Sequence, residues 1–154
     1  MAIHKDQDRI EKVVELAAPV ERVWRALTDH REFGAWFRVR LDGPFEVGRT
    51  TTGNITYPGY EHMAWVSVTE RMEHERLFAF SWPPSDVDPD TEYELDAKVL
   101  VEFRLEPTAG GGTRLTITES GFLQFPEPKR LEVLRSNTEG WDIQAGNIAA
   151  HVER

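Results

Sequence analysis

The sequence of 154 residues contains no cysteine. Without thiols, the protein has no disulfide framework, iron–sulfur cluster, thiolate zinc site or cysteine nucleophile. Cationic side chains are also few, because 18 Lys and Arg stand against 27 Asp and Glu and leave a net charge of −9. Nucleic acids and anionic membrane surfaces are bound through basic surfaces. We therefore predict neither of them as a partner.

Long apolar runs are absent as well. No stretch of about 18 consecutive apolar residues predicts a membrane span, and residues 1–9 lack the apolar core of a signal peptide. We therefore expect a cytoplasmic protein without a membrane partner. A chain of this length buries enough surface to form its own core. We predict one domain over residues 1–154, with an N-terminal tail at residues 1–8.

Motifs of the common catalytic and metal-binding classes are missing from the sequence. It has no G-x-S-x-G nucleophile elbow, and its five histidines show no metal-ligand spacing. Asp86, Asp88 and Asp90 form a D-x-D-x-D run, but Thr91 and Ala97 stand where a calcium loop has Gly and Glu. We predict a solvated acidic loop there, and no metal or cofactor.

The chain does show an ordered series of hydrophobic periods. Residues 10–16 alternate as a strand does, and two short helices with apolar faces follow. From about residue 41, Gly and Pro residues mark turns between about six short strands, which is the pattern of an antiparallel sheet. Residues 128–152 return to helical spacing over roughly 36 Å. This order predicts an α+β fold in which an antiparallel sheet packs against one long C-terminal helix.

One carboxylate falls on a face that is otherwise apolar. Leu115, Ile117 and Glu119 alternate along the last strand, so they share one side of the sheet. Burial there would raise the pKa of Glu119 unless a partner stabilises its charge, and Arg71 or Asn137 is a candidate for that partner. The alternative is a frayed strand end with a solvated Glu119. If it is buried, Glu119 is a weak candidate for a catalytic group.

Aromatic and aliphatic side chains are numerous on the faces predicted to meet the long helix. Two interpretations remain open at this level: an ordinary filled core, or the lining of an apolar cavity of about 300–1,000 Å³. The predicted lining comprises Trp36, Trp65, Phe78, Phe80, Trp82, Phe103, Ile117, Trp141 and Ile148. Glu119 with Tyr60 or His62 would then orient a polar group of the ligand.

Several local segments resemble the START-like, or SRPBCC, superfamily. Residues 15–28 are similar to its strand-to-helix opening. Residues 76–82 and 113–122, and Glu139-Gly140-Trp141 with residues 148–151, are similar to its branch named for homologues of the activator of the heat-shock protein 90 ATPase. His74-Glu75 departs from this pattern, since a proline usually precedes the Arg-Leu strand.

The resemblance implies a helix-grip fold, in which a curved seven-stranded antiparallel sheet wraps the C-terminal helix and leaves a hydrophobic cavity. It does not imply an activity, because the branch has no shared catalytic motif and one fold serves many functions.

Three functions are therefore considered. The first is a binding module that holds an apolar or amphipathic small molecule between sheet and helix. The second is an enzyme similar to polyketide cyclases that uses Glu119 as a general acid or base. The third is a co-chaperone-like module that binds a protein partner through the acidic surface and the loop at residues 83–96.

Overall fold

The computed structural model describes residues 7–83 and 98–153. One strand, two short helices, six further strands, a short 3-10 turn at Phe122–Gln124 and a long helix follow one another. They are β1 (Arg9–Leu16), α1 (Val20–Thr28), α2 (His30–Phe37), β2 (Val39–Leu41), β3 (Thr50–Ile55), β4 (Ala64–Glu73), β5 (Leu77–Trp82), β6 (Val99–Pro107), β7 (Thr113–Ser120) and α3 (Glu127–Val152).

The seven strands form one antiparallel sheet in the order β1-β7-β6-β5-β4-β3-β2. The long helix α3 packs against it with Val133, Leu134, Trp141, Ala145, Ile148 and Val152 buried. The predicted α+β helix-grip fold is thus confirmed. Within the described residues, no helix is both long enough and apolar enough to cross a bilayer.

The register of the central strands explains why one face of the sheet is apolar. Phe80 lies opposite Val101, which lies opposite Glu119, which in turn lies opposite Ile10. Since side chains directly across antiparallel strands point to the same face, Glu119 stands in a row of buried apolar residues. The sheet therefore places this carboxylate in the interior, facing α3.

Side-chain hydrogen bonds cap the second short helix and hold it against the first. The carboxylate of Asp29 accepts hydrogen bonds from the backbone N–H groups of Arg31 and Glu32, which caps the first turn of α2. The indole Nε1 of Trp36 donates to the backbone oxygen of Ala26 at 2.8 Å. This bond satisfies a buried polar group and fixes α2 against α1.

A charged cluster joins these helices to the end of α3. Glu32 of α2 accepts hydrogen bonds from Arg22 at 2.6 Å and from Arg25 at 2.7 Å, and His151 of α3 lies 2.9 Å from it. Burial raises the pKa of Glu32, but the bonds to His151, Arg22 and Arg25 and the charge of Arg22 outweigh it, so the pKa is lowered overall. The cluster holds the ionised carboxylate in place.

Helical glycines offer a test of how tightly α2 is packed. A Cβ at Gly34 of α2 would lie 2.3 Å from the backbone oxygen of Val39, whereas a Cβ at Gly146 of α3 would meet no atom within 4 Å. We expect Gly34→Ala to destabilise the protein by about 1–3 kcal/mol through overpacking. Gly146→Ala, the matched control, should stabilise it by up to about 1 kcal/mol. Urea unfolding of both variants measures the difference, and equal effects would contradict the contact.

Candidate functional site

Aromatic rings pack against one another between the sheet and the helices. Phe33 lies 4.8 Å from Trp36 and 5.7 Å from Trp65, and Trp65 lies 5.5 Å from Phe80, measured between ring centroids. Phe80 continues the set to Trp82 at 5.3 Å. Such tilted and edge-to-face contacts are favourable packing arrangements.

Most residues of the predicted lining lie inside this packed interior. The buried members, each at most 3% exposed, are Trp36, Trp65, Phe78, Phe80, Phe103, Ile117, Trp141 and Ile148. Their contact with a ligand stays a prediction. Tyr60 and His62 are exposed on the turn between β3 and β4, where Tyr60 packs against Tyr57.

A pocket remains where the end of β5 meets α3. Its volume is about 210 Å³, and its walls are Phe37, Trp82 and Trp141, with Glu119 at its base. The remaining lining comes from one face of α3, formed by Ser136, Asn137, Gly140 and Gln144. Ser136, Gly140 and Gln144 are four residues apart and Asn137 lies three before Gly140, so these residues lie along one side of the helix.

The pocket reaches the surface beside exposed residues of α3. Ser136 and Gly140 are exposed, while Trp141 is buried. Gln144 donates from Nε2 to the backbone oxygen of Phe37 at 3.1 Å, which ties the helix to the end of α2 beside the opening. Sequence reasoning missed Phe37, Ser136, Gly140 and Gln144 as lining residues. Helical spacing is the signal that points to them, because Ser136, Gly140 and Gln144 follow one another at intervals of four residues and Phe37 follows Phe33 by four.

Three neutral N–H groups surround the carboxylate of Glu119, which is 0% exposed. Its Oε1 accepts from Nδ2 of Asn137 at 3.0 Å and from Nε1 of Trp141 at 2.9 Å. Its Oε2 accepts from Nε1 of Trp82 at 2.8 Å. Glu119 therefore joins β7 to β5 and to α3 by hydrogen bonds.

This geometry decides between the alternatives drawn from the sequence. Asn137 is the predicted partner that binds Glu119, whereas the alternative of a solvated Glu119 is wrong. Arg71 is also wrong as a partner, because it is exposed and pairs with Glu73 of its own strand. Two strands, β5 and β6, separate β4 from β7 in the sheet.

Burial dominates the electrostatics of this site. Desolvation raises the pKa of Glu119, and the hydrogen bonds from Trp141, Trp82 and Asn137 offset that effect only in part, so its pKa stays above the ordinary value. The site thus holds a carboxyl group that accepts a proton more readily than an exposed one. Such a group can bind a hydrogen-bond donor or take part in proton transfer.

The described residues form no candidate metal site. Across 7–83 and 98–153, no three His, Asp or Glu side chains come together in an arrangement that could hold an ion. Asp86, Asp88 and Asp90 lie outside the described residues, as does all of the predicted 83–96 loop except Pro83.

Comparison with known protein families shows the family of this chain. Residues 17–153 match the family model described as activator of Hsp90 ATPase homolog 1-like protein. The chain belongs to this family. The resemblance stated from the sequence is thereby confirmed. No curated protein matches the chain.

Solved structures share the fold of this Hsp90 ATPase activator homologue-like chain. Protein MLL2253 from Mesorhizobium loti is 22% identical with a TM-score of 0.74, and the alignment covers 95% of this chain and 97% of that one. The Aha1 dimer from Colwellia psychrerythraea is 16% identical with a TM-score of 0.71, covering 96% and 97%.

A third structure is DynU16, a protein of the dynemicin biosynthetic locus. It is 24% identical with a TM-score of 0.73, and the alignment covers 96% of this chain but 48% of DynU16. At these identities the likeness establishes the fold alone.

The raised pKa of Glu119 predicts a pH dependence of stability. The folded state binds the proton more tightly than the unfolded chain, whose glutamates titrate near about 4.3. The free energy of unfolding should therefore fall as the pH rises from about 4.3 through the folded-state pKa. Glu119→Gln removes this titration, so the wild type should lose stability relative to the variant over that range.

Urea unfolding at a series of pH values measures this difference. Glu119→Gln also places an amide N–H toward an indole N–H, which adds an offset of about 1–3 kcal/mol that does not vary with pH. Glu139→Gln, which removes an exposed carboxylate of α3, is the control and should run parallel to the wild type. A wild-type stability that rises relative to Glu119→Gln would contradict the assigned direction.

Proposed function

We propose that the protein is a small-molecule binding module that holds a compact apolar or amphipathic molecule in the pocket between β5 and α3. One observation supports this proposal above others: a buried carboxylate lies at the base of a pocket whose walls are aromatic and which opens at the surface. Apolar walls with a few convergent polar groups are the usual composition of a ligand site.

The volume of the pocket limits the size of its ligand. At about 210 Å³ it is smaller than the roughly 300–1,000 Å³ of sites for drug-sized molecules. Its aromatic lining residues Phe37, Trp82 and Trp141 pack against one another, with ring centroids 5.9–6.3 Å apart. We therefore propose a ligand with one ring or a short chain as its apolar part.

A second candidate function is an enzyme similar to polyketide cyclases. The raised pKa of Glu119, caused by burial, favours it because a general acid or base works best when its pKa lies near the working pH. Among the described residues, however, Glu119 is the single titratable group that lines the pocket. Binding alone needs no second group, so we place the binding function first.

The third hypothesis, a co-chaperone-like protein-interaction module, rests on a different part of the chain. Its main element is the acidic loop at residues 83–96, nearly all of which lies outside the described residues. The Aha1 likeness is one of fold. A protein partner therefore stays a prediction from the sequence and carries no geometric argument.

Gly140 offers a direct test of the binding site. It lines the pocket, and a Cβ built on it meets no atom within 4 Å. Gly140→Leu should keep the fold, since the helix gains propensity, but should obstruct the pocket. We expect binding of a neutral aromatic probe, 2-phenylethanol, to weaken by about tenfold or more, equivalent to about 1.4 kcal/mol.

Heteronuclear NMR titration measures the affinity for this probe through the indole N–H resonances of Trp82 and Trp141. Gly146→Leu is the matched control, because it lies on the same helix with the same open space but does not line the pocket. It should bind the probe as the wild type does. Chemical-shift changes confined to exposed side chains such as Tyr57 and Tyr60, with the two indoles unmoved, would overturn the proposed site.

A further inference from the structure

The hydrogen-bond capacity of Glu119 is incompletely used, and this incompleteness bears on the class of ligand. An ionised carboxylate offers about four acceptor positions on its two oxygens. Oε1 accepts two bonds, from Asn137 and Trp141, whereas Oε2 accepts one, from Trp82. Oε2 therefore retains room for one more donor.

The charge of Glu119 is also unmatched. All three of its donors are neutral groups, and no Lys, Arg or His forms a salt bridge to it among residues 7–83 and 98–153. Residues 84–97, which connect β5 to β6 in the chain, contain six Asp or Glu and no cationic side chain. A buried charge without an opposite charge is energetically unfavourable, so a bound cation would gain from this site.

We propose that the ligand is a compact organic cation, a protonated amine with an aromatic or short aliphatic body, whose N–H group binds Oε2 of Glu119. This inference rests on the proposed function and adds the ligand's charge to it. The body of the amine lies in the pocket against Phe37, Trp82 and Trp141, since aromatic side chains attract both apolar groups and cations. The net charge of −9 favours cations over anions at longer range.

Trp82 is the neighbour of Oε2 nearest to the surface. Glu119 is fully buried and Trp141 is 3% exposed, whereas Trp82 is only partly buried and is the last residue of β5. Its indole is the single donor to Oε2 in the described structure. An amine bound to Oε2 therefore lies beside the Trp82 indole, and the Trp82 N–H resonance should respond most strongly to binding.

Three probes of similar shape and different charge test the inference on the full chain at pH 7: 2-phenylethylamine, 2-phenylethanol and phenylacetate. NMR titration should show the amine binding about tenfold more tightly than the alcohol, because a charge-assisted hydrogen bond is roughly twice as strong as a neutral one. Phenylacetate should not bind. Glu119→Gln should bring the ratio of amine to alcohol affinity to about one while the alcohol still binds.

The outcomes separate the two proposals. Equal binding of amine and alcohol to the wild type, or preferred binding of phenylacetate, would overturn the cation inference and leave the proposed binding function intact. If no probe moves the indole resonances of Trp82 or Trp141, the binding function itself is overturned.

A second variant keeps the inference testable if Glu119→Gln fails to fold. Trp82→Phe retains the carboxylate and an aromatic wall but removes the single N–H group bound to Oε2, which leaves more of its acceptor capacity to the amine. The ratio of amine to alcohol affinity should rise in this variant. A ratio that stays the same or falls would show that the amine does not bind at Oε2.

Discussion

The hydrogen bonds of Glu119 are the interaction on which the arrangement of sheet and helix around the pocket depends. A carboxylate in the interior is unfavourable unless its acceptors are occupied, and here β5 and α3 both supply N–H groups. Trp82 and Trp141 in turn need acceptors for their indole N–H groups, since each lies in a largely apolar setting. One side chain of β7 thus satisfies donors from two other elements, and the removal of Glu119 would leave all three donors without this acceptor.

A small pocket beside a tightly packed aromatic interior follows from this arrangement. The rings from Phe33 to Trp82 contact one another and leave little free volume, whereas the indoles that bind Glu119 are held in fixed directions. The space between them, Phe37 and the exposed face of α3 is what remains. The pocket therefore combines a rigid polar base with apolar walls, which is the combination that orients an amphipathic molecule.

Much of this fold was predictable because its signals are local. These signals depend on residues close in sequence: the alternation along residues 10–16 and 113–120, and the change to helical spacing after Pro126. The position of Glu119 on the same strand face as Leu115 and Ile117 is local in the same way. The extent of the cavity was not predictable, because it depends on the rotamers of rings from five different elements. Phe37 was missed for the same reason: its spacing from Phe33 places both on one face of α2, but its place in the pocket depends on how α2 lies against α3.

Gly140 and Gly146 have a consequence for how the molecule folds. Neither makes a close contact that requires glycine, so together they lower the intrinsic helical propensity of α3 by about 2 kcal/mol relative to alanine. An isolated peptide with this sequence would form little helix in water. The longest helix of the described residues is therefore a product of tertiary docking: its order is only as durable as the sheet surface that receives it.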